Sequence, residues 1–181
     1  MFLVAGCSDP APEPAPLDSS PSASTEQTAT AEPEPTSDVE GPPEMPAAAK
    51  GTSRKSAEAF VRYAVDVLNY TSASLDTEPL RALSASGCKS CEAISGAVDE
   101  LRSAGGRLED GLWSIRDLGV VGPVNPELTR VQVLVETQRQ RVIDSAGAEP
   151  RETAAESVLY DFTVTSVKVR DWRLNEIVEQ R

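Results

Sequence analysis

Two cysteines three residues apart, Cys88 and Cys91, have the clearest chemical potential in this chain. A C-x-x-C pair can bind zinc, exchange electrons, stay as two buried thiols or form a structural disulfide. Zinc needs three or four ligands, but the chain has no histidine and only one more cysteine, Cys7. A thioredoxin-like motif follows a strand, whereas here helical patterns lie on both sides. We therefore expect a structural disulfide, with a reduced pair as the alternative if the chain is cytosolic.

The absence of histidine also limits catalysis. Histidine is the commonest general base near neutral pH, and Ser-His-Asp and Cys-His sites require it. Any catalysis would use carboxylate, tyrosine or lysine chemistry, and the sequence indicates no metal or other cofactor.

Cys7 has a different signature, because it follows Leu3-Val4-Ala5-Gly6. Small residues directly before a cysteine are typical of the cleavage site of a bacterial lipoprotein precursor, in which the cysteine then carries the lipid. The residues before it are fewer than a signal sequence needs. We therefore expect residues 1–7 to be the remnant of a longer signal, and the protein to be lipid-anchored at the outer face of the plasma membrane. A chance cysteine in a cytosolic chain is the alternative.

Residues 8–49 differ in composition from the rest of the chain. The first 49 residues hold nine acidic side chains, ten of the fourteen prolines and no lysine or arginine. Such a segment buries too little apolar surface to offset its chain entropy. We predict a disordered tether here and a single domain at residues 50–181. Because nine of the twelve excess negative charges lie in the tail, the domain is nearly balanced, and a basic surface for nucleic acid is not expected.

The patterns of residues 50–181 predict helices first and antiparallel strands afterwards. Apolar residues at i, i+3, i+4 and i+7 indicate a helix at Ser53–Tyr70, and shorter helical signals follow at Thr77–Leu83 and Cys88–Ala104. Thr77 stands at the position of an N-cap, ahead of Pro79. Alternating apolar residues indicate strands at 113–121, 131–136, 158–164 and 172–178. This order is typical of an α+β domain.

Two further motifs have simple interpretations. Gly105-Gly106 followed by Gly111 lacks the lysine and the preceding strand of a phosphate-binding loop. We interpret residues 105–111 as a helix stop followed by a turn. Arg139 and Arg141, close to the end of a strand, are interpreted as solvated positions on a sheet edge, where charge discourages association between edges.

Several motifs punctuate this order of elements: Phe60-Val61-Arg62-Tyr63, Asn69-Tyr70, Cys88-Lys89-Ser90-Cys91 and Gly105-Gly106. With them, residues 42–180 resemble a family of actinobacterial lipoproteins of unknown function. The order of elements also resembles the nuclear transport factor 2-like superfamily, which implies a curved sheet wrapped around the first helices as a cone with a pocket. Ketosteroid isomerase in that superfamily uses an aspartate base and a tyrosine oxyanion donor in its pocket. The resemblance implies that such a pocket would be lined here by Tyr63, Asp66, Tyr70, Trp113, Tyr160 and Trp172, with Asp66 and Tyr63 as the candidates for catalysis. Simpler interpretations are a solvated helix face for Tyr63 and Asp66, and core or rim positions for Tyr160 and the tryptophans.

From the sequence we expect a lipid-anchored envelope protein whose domain binds a small apolar ligand, a wall component or an envelope protein. One alternative is a pocket enzyme of the ketosteroid isomerase type, which requires Asp66 or Tyr63 to face a cavity. Another is a scaffolding domain, which requires a large exposed apolar patch on the sheet. A homodimer is compatible with the sequence, and no nucleic-acid partner is expected.

Overall fold

The computed structural model describes residues 41–168 and 171–180, with the side chains of residues 167 and 168 left aside. Cys7 and residues 8–40 of the predicted tether lie outside this part. A 3-10 turn at Ala47–Ala49 precedes three helices, α1 (Arg54–Ser74), α2 (Glu78–Leu83) and α3 (Lys89–Ser103). Among the described residues, no helix combines the length and the apolar character that crossing a membrane requires.

The described residues after α3 form seven strands in two antiparallel sheets. The strands are β1 (Arg107–Asp110), β2 (Trp113–Val121), β3 (Thr129–Thr137), β4 (Gln140–Ile143), β5 (Arg151–Thr153), β6 (Glu156–Lys168) and β7 (Asp171–Gln180). The small sheet has the order β1-β4-β5, and the large sheet has the order β2-β3-β6-β7. The α+β class that the sequence predicts is confirmed.

α1 begins at a capping box and buries one stripe. Ser56 donates its N–H to Ser53 Oγ over 3.1 Å, and Ser53 donates its N–H to Ser56 Oγ over 2.9 Å. Phe60, Val61 and Ala64 are fully buried on the predicted face. Because the same stripe continues to the buried Thr71, the helix extends four residues beyond the predicted end at Tyr70.

Thr77 is the N-cap residue of α2, as predicted, and Pro79 lies in the first turn. The side chain of Thr77 makes no capping hydrogen bond, and its Oγ1 donates to Asp99 Oδ1 over 3.1 Å. Asp76, one residue earlier, supplies an acceptor in its place, because its Oδ1 accepts the Glu78 N–H over 3.0 Å.

The two sheets share one register across a bend. Asp110 of β1 pairs with Gln140 of β4. Trp113 of β2, three residues after Asp110, pairs with Thr137 of β3, three residues before Gln140. The same spacing holds on the other side, where Gln140 of β4 pairs with Thr153 of β5 and Thr137 of β3 pairs with Glu156 of β6. The six strands β1 to β6 therefore form one long three-stranded ribbon that is interrupted at the bend, and β7 is added to the side of β6.

Two predictions for residues near the bend are wrong. Residues 107–110 form β1, and not the turn predicted for the stretch between Gly105 and Gly111. Arg141 lies on β4, the central strand of the small sheet, so its predicted edge position is also wrong. Its Nη1 lies 2.5 Å from Glu109 Oε2 on β1. Cross-strand pairing of opposite charges explains how such a polar segment enters a sheet.

The helices cover one face of the large sheet. On β3, Val131, Val133 and Val135 are fully buried, whereas the alternating Gln132 and Leu134 retain exposure on the opposite face. Full burial of each such side chain stabilises the fold by roughly 1.5–3 kcal/mol. The packed part also includes residues ahead of position 50, because Ala49 is fully buried and Met45 packs against the core.

Side chains of α1 close the edge of β2. Asn69 accepts the Trp113 N–H over 2.8 Å and donates its amide to the Trp113 carbonyl over 2.9 Å. At the other end, Arg54 donates to the Val120 carbonyl over 2.6 Å. An open strand edge is a template for pairing with other chains, and α1 occupies this one.

Candidate binding cleft beside the disulfide

A cleft of about 520 Å³ lies between the end of α2, the loop to α3 and the first turns of α3. Sites for small molecules commonly have volumes of roughly 300–1,000 Å³. Besides both cysteines of the C-x-x-C motif, the lining includes Arg81, Ser84, Ser86, Glu92, Ser95 and Gly96. The cleft thus offers hydroxyl groups and one charge of each sign.

Cys88 and Cys91 are joined by a disulfide, with their Cα atoms 5.3 Å apart. Cys88 is the N-cap of α3, and its sulfur accepts the Cys91 N–H over 3.2 Å. Both residues are almost fully buried. Thiol–disulfide exchange needs access for an attacking thiolate, so this burial favours the structural role that the sequence predicts.

The loop that carries the disulfide is fastened to the edge of β7. Ala85 donates its N–H to the Leu174 carbonyl over 2.7 Å. On the far side of the loop, at the start of α3, Ser90 Oγ accepts the Ile177 N–H over 2.8 Å. Because both sides of the loop are bonded to the sheet, the cleft is formed before any ligand enters.

Ser95 contributes a buried polar group to the cleft lining. The residue is 1% exposed, and its Oγ has no hydrogen-bond partner among the described residues. A buried hydroxyl left unpaired costs roughly 1–3 kcal/mol. Thr71 on α1 has a buried hydroxyl in the same state and does not line the cleft, so an unpaired hydroxyl does not by itself indicate a ligand.

Arg81 is held in one position at the cleft. Its Nη2 lies 2.5 Å from Asp99 Oδ2, and its Nη1 donates to Thr77 Oγ1 over 2.8 Å. The hydrogen bond from Arg81 is the main reason that the pKa of Asp99 is lowered, and the Thr77 hydroxyl and the charge of Arg102 add to it. Glu92, whose charge is opposite to that of Arg81, lies exposed in the first turn of α3.

Two of the six predicted pocket residues lie together, away from this cleft. Trp113 and Tyr160 stack with ring centroids 4.7 Å apart, and both are partly buried. Burial raises the pKa of Tyr160, and the charges of Glu179 and Glu156 raise it further. The pair covers the rim of the core, which is one of the simpler roles that the sequence indicated for these residues.

Of the other four predicted pocket residues, Trp172, Tyr70 and Tyr63 each contact different neighbours. Trp172 is fully buried and donates its indole N–H to Ser56 Oγ over 3.2 Å. The Tyr70 hydroxyl donates to Asp76 Oδ2 over 3.3 Å, and the Tyr63 ring lies 6.3 Å from that of Phe60.

Desolvation raises the pKa of both Asp66 and Tyr63. Asp66 is nevertheless exposed, and the charge of Arg62 opposes its shift. In the described part, no hydrogen bond or ring contact joins either residue to Trp113, Tyr160 or Trp172. Of the six residues, the described ring contacts join only Trp113 and Tyr160 to each other.

The sequence analysis missed the serines and charges of the cleft. A signal was present, because Ser84-Ala85-Ser86-Gly87 is a run of small residues between two helices, and such loops often carry binding residues. Ser95 gave no signal, because its position on α3 is one that a buried alanine would fill equally well.

The lining of the cleft can form hydrogen bonds and ion pairs. Within residues 41–168 and 171–180, no group of three or more histidine, cysteine, aspartate or glutamate side chains is arranged to hold a metal ion. Hydroxyl groups, a fixed guanidinium and a carboxylate provide donors and acceptors of hydrogen bonds. Such groups orient a ligand in a pocket and provide its specificity.

Comparison with known proteins gives a fold and a family. No curated protein matches the chain. Among solved structures, it is similar to the intermembrane space region of the chloroplast protein ARC6, with a TM-score of 0.55 and 12% identity over 70% of this chain and 95% of that chain. At this identity the likeness concerns the fold alone. Residues 25–177 match the model of the family of unknown function DUF6318, and the chain belongs to that family.

Proposed function

We propose that this protein is a lipoprotein of the cell envelope, anchored through Cys7, and that its folded part binds a ligand in the cleft beside the disulfide. The observation that carries the binding role is the cleft of about 520 Å³, whose loop is held on both sides by hydrogen bonds to β7. The Leu3–Cys7 pattern supports the anchor. The Cys88–Cys91 disulfide supports an oxidising compartment.

The enzyme alternative has less support. It requires Asp66 or Tyr63 at a cavity, and neither is among the residues that line this cleft. Asp66 lies exposed on α1 near Arg62.

A second candidate function is contact with an envelope protein or a second copy through the outer face of the large sheet. On this face Leu159 is 37% exposed and Val178 is 40% exposed. Between them lies Asp161, which is 7% exposed, and its Oδ1 has no hydrogen-bond partner among the described residues. Arg130 Nη1 is 3.7 Å from its Oδ2. The apolar exposure favours a contact surface, although these residues make a small patch.

We also propose that the sheet wraps around α1 as in the cone of the nuclear transport factor 2-like superfamily. The continuous register across the bend at Gly111 supports a strongly curved ribbon. Contacts of α1 with β2, β3 and β7 support a helix inside that curve. A crystal structure with a flat sheet, or with α1 outside its concave face, would refute this arrangement.

Two glycines allow the two binding candidates to be separated. A Cβ at Gly96, in the cleft lining, would meet no atom within 4 Å, and the same holds for Gly119 on β2. Gly119 pairs with Gln132 and so belongs to the outer face. Gly96→Leu therefore fills the cleft and Gly119→Leu covers the outer face. Both positions accept a side chain, and leucine is a better helix former than glycine at position 96.

The test is mass spectrometry of the wild type and both variants, isolated from the membrane fraction of the native host. We expect native spectra with a bound small molecule for the wild type and Gly119→Leu, and an empty chain for Gly96→Leu. A ligand retained by Gly96→Leu would refute the cleft as its site. Loss of a protein partner in Gly119→Leu alone would support the second candidate.

The anchor is tested separately in denaturing spectra of the same samples. We expect the mature chain to begin at Cys7 with acyl groups attached, and Cys7→Ser to remove both the acyl mass and the membrane association. A chain that still carries Met1 and residues upstream of Cys7 without lipid would refute the anchor, independently of the result for the cleft.

A further inference from the structure

We propose that the stacked pair of Trp113 and Tyr160, together with Glu156, accepts an arginine side chain of a protein partner. None of the three residues lines the cleft beside the disulfide, so this second site goes beyond the proposed function. Three features carry the inference: the register of the large sheet, the stacked rings and the charges around them.

The register of the large sheet places Trp113, Thr137 and Glu156 side by side. Trp113 of β2 pairs with Thr137 of β3, and Thr137 pairs with Glu156 of β6. Residues directly opposite each other in an antiparallel sheet lie on the same face. This face is the one that carries the core, because Thr137 is two residues away from the fully buried Val135 on the same strand. Two strand spacings separate Trp113 from Glu156 by about 10 Å, and only the short Thr137 lies between them.

The position between Trp113 and Glu156 is accessible from outside. Burial along β3 falls from the fully buried Val135 to the partly exposed Thr137, and Glu156 is exposed. The Thr137 hydroxyl donates to the Glu156 carbonyl over 3.2 Å, which leaves its oxygen as an acceptor for a further donor. The gap is therefore open to one incoming side chain.

Trp113 and Tyr160 form an aromatic wall on one side of this gap. Tyr160 comes four residues after Glu156 on β6 and so lies on the same face. Its ring stacks on Trp113 with centroids 4.7 Å apart and 20° between the ring planes. Asn69 holds the Trp113 backbone at its N–H and its carbonyl. Cations are attracted to such rings within about 6 Å of the centroid, and a wall that is already formed needs little further ordering on binding.

The charges that act on the aromatic wall are negative. After burial, the charges of Glu179 and Glu156 are the causes that raise the pKa of Tyr160, and Glu179 is the residue opposite Tyr160 on β7. Within the described residues, the Glu156 carboxylate and the Tyr160 hydroxyl make no hydrogen bond or ion pair. Arg139, beyond the end of β3, is paired with Glu152 over 3.5 Å. A cation from outside therefore complements this position.

An arginine side chain fits this combination. Its planar guanidinium stacks on an aromatic ring and can offer its N–H groups to a carboxylate at the same time. Trp113 and Tyr160 are partly exposed and Glu156 is exposed, whereas sites for small molecules enclose most of the ligand. An open position of this kind suits a side chain that a partner protein presents, and arginine is enriched at such interfaces together with aromatic residues.

The test is a titration of the isotope-labelled full chain with a terminally blocked Gly-Arg-Gly peptide, followed by the indole N–H signals of its two tryptophans. The Trp113 indole belongs to the site, and the buried Trp172 indole, bonded to Ser56, is the internal control. The same peptide with citrulline in place of arginine keeps the shape and lacks the charge. At equal ionic strength we expect the arginine peptide to shift the Trp113 signal alone, and the citrulline peptide to bind roughly three- to thirtyfold more weakly.

Glu156→Gln and Glu149→Gln are the matched variants, because each removes one exposed carboxylate and Glu149 lies in the loop before β5. We expect Glu156→Gln to weaken binding of the arginine peptide by up to about fivefold and Glu149→Gln to leave it unchanged. Tyr160→Leu keeps an apolar cover over the core and should weaken binding by about two- to fivefold.

Three results would overturn the inference: no shift of the Trp113 signal at any peptide concentration, equal binding of the two peptides, or equal effects of the two glutamate variants. Each of them would leave the cleft beside the disulfide untouched as a candidate, because these measurements involve none of its lining residues.

Discussion

Ser56 and Ser95 are two buried helical serines whose hydroxyl groups have opposite surroundings. Ser56 Oγ accepts hydrogen bonds from the indole of Trp172 and from the Ser53 N–H, and it donates to the Ser53 carbonyl. Ser95 Oγ is unpaired within the described residues. The same substitution at the two positions therefore measures what the hydroxyl contributes in each place.

We expect Ser56→Ala to lower the free energy of unfolding by about 1–3 kcal/mol, because it leaves the buried Trp172 indole N–H unpaired and removes the capping box. We expect Ser95→Ala to raise that free energy by about 1 kcal/mol or more, because it removes a buried hydroxyl whose unpaired state costs about 1–3 kcal/mol and because alanine is the better helix former. Urea denaturation of both variants gives the comparison. A large destabilisation by Ser95→Ala would show that its hydroxyl is paired in the free protein.

The disulfide acts at the same scale. Replacing both cysteines by alanine is expected to lower the free energy of unfolding by about 2 kcal/mol, the value that chain entropy gives for so short a loop. Wild type in a dithiol reductant, under conditions that open the disulfide, is the matched control and should approach the variant. Denaturation curves that coincide for the oxidised wild type and the variant would contradict a stabilising role.

At the scale of elements, the Asn69 side chain of α1 holds β2 through the backbone N–H and carbonyl groups of Trp113. Asn69→Ala removes both partners of the Trp113 peptide groups, and we expect the free energy of unfolding to fall by about 1–3 kcal/mol. Asn175→Ala is the control, because its amide makes a long hydrogen bond of 3.4 Å to Thr163, and its effect should be smaller. Thermal unfolding followed by tryptophan fluorescence measures both. Equal effects would mean that Asn69 does not close this edge.

The bend between the sheets depends on one glycine. Gly111 has a φ of +76°, and a Cβ there would overlap the Gln140 side chain; Gly122 has a φ of +78° with no atom within 4 Å of such a Cβ. Gly122→Ala should therefore cost about 1–2 kcal/mol for the left-handed conformation alone, and Gly111→Ala should cost more. Equal destabilisation in denaturant titrations would show that the bend tolerates a side chain.

Long periodic elements could be predicted from the sequence, and short polar ones could not. The stripe from Ala57 to Leu68 and the alternation of Val131, Val133 and Val135 each extend over enough residues to define a period. β1, β4 and β5 have four, four and three residues. Their pairing depends on partners far along the chain, and their charged side chains form ion pairs that no local pattern reveals.

The molecule as a whole should lose part of its stability in acid through Asp99. Its pKa is lowered in the folded state, first by the hydrogen bond from Arg81. The stabilisation is therefore present above the unfolded pKa of about 3.9 and is lost as the pH falls through the folded pKa. We expect the urea midpoints of wild type and Asp99→Asn to differ at pH 6, to begin to converge as the pH falls below about 4, and to coincide only below the folded pKa. A constant difference would assign the effect to packing.

The cleft belongs to the whole fold, which is why sequence patterns did not reveal it. Its walls come from two helices and a loop, and hydrogen bonds to β7, almost ninety residues further along the chain, fix the loop in place. The sequence pointed instead to aromatic residues such as Trp113 and Trp172. The fold uses these two at the rim and in the core, because large apolar rings are most stabilising where they are buried.

The most direct test of the binding cleft is hydrogen exchange of the full chain, measured by mass spectrometry with and without a small-molecule extract of the host envelope. We predict that added protection is confined to peptides that cover residues 81–96, because the ligand's contacts lie there. Protection on β6 and β7, with none at residues 81–96, would contradict the account and assign binding to the outer face of the sheet.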